Sequence, residues 1–210
     1  MELQARRALN ARGEGERLRQ EILDAATGIL EETGREDALS LRAVAREVGI
    51  AAPSIYLHFK DKNDLLWAVL GSAYQALASA MDAAGAAAAG GARERISAVV
   101  AAYRRFAVDK PSRYRLMFSL EYEPRGEADL DGPTPLSAVL RAWTDAVDSY
   151  LAAVGPDRRA EAATLGIHLW TAVHGQLVLW RTLPNRYTDS EDILIELEQS
   201  LLLRLLPAER

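Results

Sequence analysis

The sequence predicts an all-α protein of about nine helices, a small N-terminal helical domain followed by a larger C-terminal bundle. Three observations predict it. Apolar residues recur at i, i+3, i+4 and i+7 in segment after segment of the 210 residues, the period of one helix face. Residues 40–59, SLRAVAREVGIAAPSIYLHF, read as two short helices joined by a glycine turn. Residues 193–206, ILIELEQSLLLRLL, are apolar on more than one side, so this helix has one face for its own domain and another for a second partner.

Composition narrows the classes of function. Hydrophobic residues make up 49% and charged residues 26%, a soluble globular profile. There is no cysteine, which excludes disulfides, thiolate metal sites and a cysteine nucleophile. The N-terminus lacks the apolar core of a secretory signal, and no stretch reaches the roughly 18 apolar residues of a membrane span. A cytoplasmic protein with no membrane partner is expected. The net charge of −5 argues against indiscriminate coating of nucleic acid. Locally the balance differs, because residues 1–20 carry five arginines against three glutamates.

Residues 1–15 have no periodic apolar pattern and read as a flexible basic arm. Arg6, Arg7 and Arg12 are either solvated or reach phosphates beside a DNA site. The first helix runs from about Glu16 to Thr33 on a stripe of Leu18, Ile22, Ala25, Ala26, Ile29 and Leu30, and Gly34 closes it. Leu41, Val44, Ala45 and Val48 form the stripe of the second helix, with Ser40 as its N-cap and Gly49 at its end. Pro53 suits the first turn of the third helix, and Ile55 and Phe59 give it a buried edge. Ala52, Ser54, Leu57 and His58 are left outward, with Tyr56 beside them. Asp61 opens the fourth helix with Asp64 three residues on, and Lys62 stands in its first turn, within reach of a phosphate. That helix continues through Leu65, Leu66, Val69, Tyr74, Leu77 and Met81. Residues 16–62 are thus set apart as the first domain, and 63–210 as the second.

The glycine turn Gly49-Ile50, followed by Tyr56, His58, Phe59 and Lys62 in IYLHFKDKNDLL, resembles the DNA-binding region of the tetracycline-repressor family of transcriptional regulators. The resemblance implies that the first helix buttresses the helix-turn-helix and touches the DNA backbone through Arg17 or Arg19. It also implies that Arg42 and Ser54 read bases, that Tyr56, His58 and Lys62 position the backbone, and that two copies meet a palindromic operator. Ala52-Pro53 departs from the pattern, since family members commonly bring Lys, Thr or Gly there.

In the second domain, AAGAAAAGGA (83–92) reads as a frayed helix end and a loop. A helix from Arg93 to Lys110 stops at Pro111, and a shorter one from Ser112 to about Tyr122 carries Tyr114, Met117 and Phe118. GEADLDGPTP (126–135) reads as an acidic mobile loop. Pro135 opens a helix through Val139, Leu140, Trp143, Val147, Tyr150 and Leu151, which ends near Gly155-Pro156. The last two helices span about Asp157–Thr182 and Ser190–Leu206, and Gly166 and Gly175 permit close approach of a neighbour. The apolar final helix makes this pair the expected homodimer interface.

Tyr103, Phe106, Tyr114, Phe118, Trp143 and Trp170 are either a core stripe or the walls of a pocket. The family resemblance implies a pocket for a small apolar or aromatic effector. Trp170, His174 and Gly175 resemble a Trp/His-Gly signature in the C-terminal domain of one subgroup. His174 is either a helix-core histidine satisfied by a neighbour or a ligand contact. No HExxH, GxGxxG or GxSxG motif occurs, and His168 and His174 diverge on one helix. No catalytic residue, metal or cofactor is assigned. The sequence reads as a ligand-released repressor. Its rivals are a helical protein that uses the helix-turn-helix to bind protein and, last, an all-α enzyme.

Overall fold

The computed structural model describes residues 14–119, 134, 136–182 and 191–208. Among these residues there are nine α-helices and no strand. They are α1 (Glu14–Thr33), α2 (Leu41–Val48), α3 (Ala52–Ile55), α4 (Lys62–Ala87), α5 (Ala92–Asp109), α6 (Pro111–Ser119), α7 (Ser137–Val154), α8 (Ala162–Thr182) and α9 (Asp192–Leu205). Short 3-10 segments lie at Glu36–Ala38 and Pro156–Glu161. Two compact units emerge, Met1–Leu70 and Gly71–Arg210. The division falls inside α4, whereas the sequence places a boundary at its start.

In the first unit, α1 begins two residues earlier than its apolar pattern suggests and buries Ile22, Leu23, Ala26 and Leu30. The Ser40 hydroxyl accepts the Ala43 N–H at 3.1 Å and so satisfies one of the free donors of α2. Gly49 takes a left-handed conformation, φ 73°, and the Ile50 N–H then folds back onto the Ala45 carbonyl at 2.9 Å. A Cβ at that φ would meet the backbone, which is why the chain turns at glycine. The third helix is only Ala52–Ile55, so His58, expected on it, lies in the turn that follows.

In the second unit the Ala/Gly run departs from the expectation of a frayed end. Gly85 lies inside α4, and a Cβ there would fall 2.9 Å from Cγ2 of Val99 on α5. The glycine is a point of helix contact, and the break comes only after Ala87. Pro111 both ends α5 and starts α6, where its missing N–H costs nothing. The segment after Gly155 first forms a 3-10 helix, so α8 begins at Ala162 rather than near Asp157. Gly166 does what its size suggested: a Cβ would lie 3.2 Å from the Thr144 backbone, so α7 and α8 touch main chain to side. The loop expected at 126–135, the end of the helix placed to Tyr122, Pro135 and the start of the last helix at Ser190 lie outside the described residues.

Candidate nucleic-acid interface and effector region

The candidate interface begins with two capped helix ends. Asp61 Oδ1 accepts the Asp64 N–H at 2.8 Å, and Asp64 Oδ2 accepts the Lys60 N–H at 2.9 Å, a reciprocal pair that fixes the chain entering α4. Phe59 is buried under the Arg19 guanidinium, 5.1 Å from the ring centroid, so Arg19 is occupied in holding the turn. With Ile55 and Phe59 inward, the turn 56–58 must face out. Tyr56 is 56% exposed and Leu57 84% exposed, so both side chains are available to a partner.

The charged residues divide into paired and unpaired sets. Arg17 Nε lies 3.4 Å from Glu21, and Lys62 Nζ lies 3.6 Å from Glu36. Arg42, Arg46 and Lys60 are exposed, and their side chains have no ion-pair partner among the described residues. Ala52, Ser54 and His58 are half-buried and Pro53 is exposed beside them. Arg12, with the rest of the arm, lies outside the described residues. Leu57 is outward as its spacing predicts, whereas Lys60 is an outward cation that the sequence motifs do not single out. Lys60 was signalled by its position between the buried Phe59 and the cap Asp61, which forces its side chain outward.

In the second unit, the aromatic residues singled out from sequence come together. Tyr103 packs against Tyr114 at 5.9 Å between centroids and against Trp143 at 5.3 Å. Phe118 touches Tyr114 at 4.9 Å and His174 at 4.3 Å. A chain of polar contacts runs through this cluster. Trp170 donates its indole N–H to the Tyr103 hydroxyl at 2.8 Å, and the Tyr114 hydroxyl donates to the same oxygen at 3.1 Å. His174 Nδ1 completes the chain, 2.6 Å from the Tyr114 oxygen and 3.3 Å from the Tyr103 oxygen, and the tautomer of the ring sets which partner donates. Burial holds the His174 pKa below the usual histidine value, in keeping with a neutral ring, and pushes the Tyr103 and Tyr114 phenols up.

Trp143 is fully buried and Phe106 nearly so, the latter beneath the Lys110 ammonium group at 5.2 Å. Most of these rings therefore face one another. Tyr114 and Phe118 also line an open depression of about 230 Å³ with Val178 and Arg181.

A capped helix-turn-helix with an exposed turn, joined in one chain to a larger helical unit, defines a helix-turn-helix regulator. Comparison with known proteins gives its kind. Residues 22–69 match the model of "Bacterial regulatory proteins, tetR family", and residues 96–194 match that of "Tetracyclin repressor-like, C-terminal domain". The chain belongs to the tetracycline-repressor family, and it is a DNA-binding transcriptional regulator.

An uncharacterized HTH-type transcriptional regulator of Mycobacterium tuberculosis, Rv0681, is 29% identical over 165 residues, 78% of this chain and 70% of that one. A protein of unknown function from Rhodococcus sp. RHA1 superposes with a TM-score of 0.67 at 26% identity, covering 87% of this chain and 90% of its own. The transcriptional regulator FadR from Bacillus subtilis, solved in complex with stearoyl-CoA, shares the fold at 16% identity and a TM-score of 0.62, covering 91% and 99%.

Proposed function

We propose that this regulator binds a palindromic operator as a homodimer and that a small molecule held in its second unit releases it. The observation that carries the DNA reading is the outward turn Tyr56-Leu57-His58, which leads into the capped start of α4. Arg42 and Ser54 read base edges; Tyr56, His58 and Lys62 hold the phosphate chain, with Arg17 and the arm residue Arg12 beside them. Ala52 and Pro53 supply a smooth, uncharged surface, so affinity rests on the cations around them rather than on the helix itself.

The dimer reading is supported by apolar side chains left in water on α8 and α9. Ile167, Val178 and Leu179 on α8, with Ile193, Leu197 and Leu203 on α9, are all exposed. Gly175 leaves open space on α8, so a second helix can approach there. Burying such a surface against a copy of itself removes the cost of hydrating it.

The effector reading assigns contacts to Tyr103, Phe106, Tyr114, Phe118, Trp143, Trp170 and His174, the last of these within the Trp/His-Gly signature. The reading is supported by the shared fold with FadR, which was solved in complex with stearoyl-CoA. Such a ligand releases DNA only through its differential affinity for two conformations. The protein's action is binding, with no turnover step.

Fluorescence anisotropy tests the reading, using DNA from upstream of the protein's own gene and a scrambled competitor at two salt concentrations. Tight binding that survives the competitor and weakens with salt is expected, with one dimer per site by sedimentation. Equal, weak binding to both duplexes, repeated across a genome-fragment selection, would sink it.

A further inference from the structure

Among the described residues of the second unit, open space also lies away from the aromatic cluster. A cleft of about 290 Å³ lies among the last turns of α4, the start of α5 and the middle of α7. It exists because the facing positions carry almost no side chain: Gly85 and Ala86 on α4, Ala92 on α5, Ala142 and Ala146 on α7. Gly85 also lets Val99 of α5 come in close beneath, so the bed is apolar and continuous.

Its charge is unbalanced. Asp82 on α4 and Asp145 on α7, both exposed, line the cleft from different helices, and neither carboxylate has a protein partner among the described residues. Arg95 also lines it, but its guanidinium donates to the Gly90 carbonyl at 3.0 Å and is drawn towards that loop. A shallower hollow of about 630 Å³ continues past Ala92 and Arg95 towards Gly155 and Asp157.

We infer that this cleft binds a small organic cation with an apolar body, its ammonium group between Asp82 and Asp145. An apolar bed selects the body by area, and two unpaired carboxylates select the charge. The volume sits at the low end of known ligand sites, roughly 300–1,000 Å³, which fits one ring or a short alkyl chain. An anion of the same shape meets two carboxylates and is rejected. The inference deepens the effector reading by naming a site and a chemical class.

Three probes of equal shape test it: 3-phenylpropylamine, 3-phenylpropanol and 3-phenylpropanoate, titrated into the intact protein by calorimetry. Amide chemical-shift mapping of the same samples locates the site. The amine is expected to bind at least about tenfold more tightly than the alcohol, with shifts at residues 82–86, 92–99 and 142–149, and the propanoate not at all. Asp82→Asn/Asp145→Asn is expected to reduce amine affinity about tenfold, about 1.4 kcal/mol, without changing alcohol affinity. Ala146→Leu, which fills the bed, is expected to abolish both. Equal binding of the three probes, shifts centred on Phe118 and His174, or no binding of the amine overturns the inference. Operator release by the amine is measured separately. Binding without release keeps the cleft and rejects it as the effector site; no binding, with operator affinity intact, rejects the cleft and leaves the regulator untouched.

Discussion

Arg104 of α5 and Glu198 of α9 form an ion pair with both side chains withdrawn from water, Nε to Oε1 3.1 Å. The same guanidinium reaches Glu191, half-exposed at the start of α9, at 2.8 Å. One cation thus serves two carboxylates, and the two differ in their access to solvent.

Burial pushes the Glu198 carboxyl up to about 7 against the pull of Arg104, and Glu191 adds to the rise. An acid whose folded pKa lies above its unfolded value binds a proton on folding. Stability must therefore rise as pH falls from above 7 towards about 4.5, the reverse of an ordinary salt-bridged carboxylate. Glu198→Gln is expected to flatten that rise in thermal melts between pH 8 and 5. Arg104→Ala removes the cation that faces the buried Glu198 carboxylate and is expected to cost about 3–5 kcal/mol in urea unfolding at pH 8. A melting temperature that falls steadily from pH 8 to pH 5 in a His174→Asn background, where the opposing contribution of that ring is removed, would refute the assignment.

That opposing contribution is itself a prediction. His174 is held below the usual histidine value by burial, so the stability it carries is present above about 6.5 and is lost as pH falls below it. The ring Cε1 proton, followed by NMR, is expected to titrate below the free-histidine range. Tyr114→Phe removes the shorter of the two hydroxyl contacts of His174 Nδ1, leaving Tyr103 at 3.3 Å, and is expected to cost about 1–3 kcal/mol. Tyr103→Phe strands the Trp170 N–H and also takes a hydroxyl from Tyr114 and His174, and is expected to cost more. Equal costs would mean that the contacts do not act as a chain.

The two kinds of interaction were not equally legible in the sequence. Ser40 and Gly49 declared themselves because a cap and a left-handed turn are local: each needs only the residues within one turn of it. The aromatic cluster was half legible. Spacing marked Tyr103, Tyr114 and Trp170 as inward, but not that their polar tips meet. Arg104 and Glu198 are 94 residues apart, and nothing near either one distinguishes a buried charge from a solvated one. Gly85 was misread for the opposite reason. A glycine in an alanine run looks like a break until the helix that presses on it, through Val99, is known. For the DNA face, the turn and its outward residues were legible, whereas the pairing of Lys62 with Glu36 was not.

Two glycines separate conformational from steric need. Gly49→Ala meets no neighbour, so its expected cost of about 1–2 kcal/mol comes from φ 73° alone. Gly166→Ala has ordinary backbone but drives a methyl group to 3.2 Å from the Thr144 main chain, which cannot rotate away. The expected cost is about 1–3 kcal/mol. Chemical denaturation measures both. Operator affinity at low denaturant then separates them further, since Gly49 sets the turn before the recognition segment and Gly166 lies between α7 and α8.

Lys62 gives the sharpest test of the DNA face because the protein already provides it with a partner. Its ammonium group is shared with Glu36 at 3.6 Å, both side chains partly in water, so the pair contributes little to stability. If Lys62 contacts a phosphate, DNA must compete with Glu36 for it. Lys62→Ala then weakens all sequences alike and lowers the slope of log K against log salt by about one. Glu36→Gln is expected to tighten binding severalfold, since it removes the competitor, and the double variant should behave like Lys62→Ala. Ser54→Ala, by contrast, is expected to change base preference with the salt slope intact. If Glu36→Gln tightens binding equally in the Lys62→Ala background, Glu36 acts only as a general repulsive charge, and Lys62 is a structural residue rather than a phosphate contact.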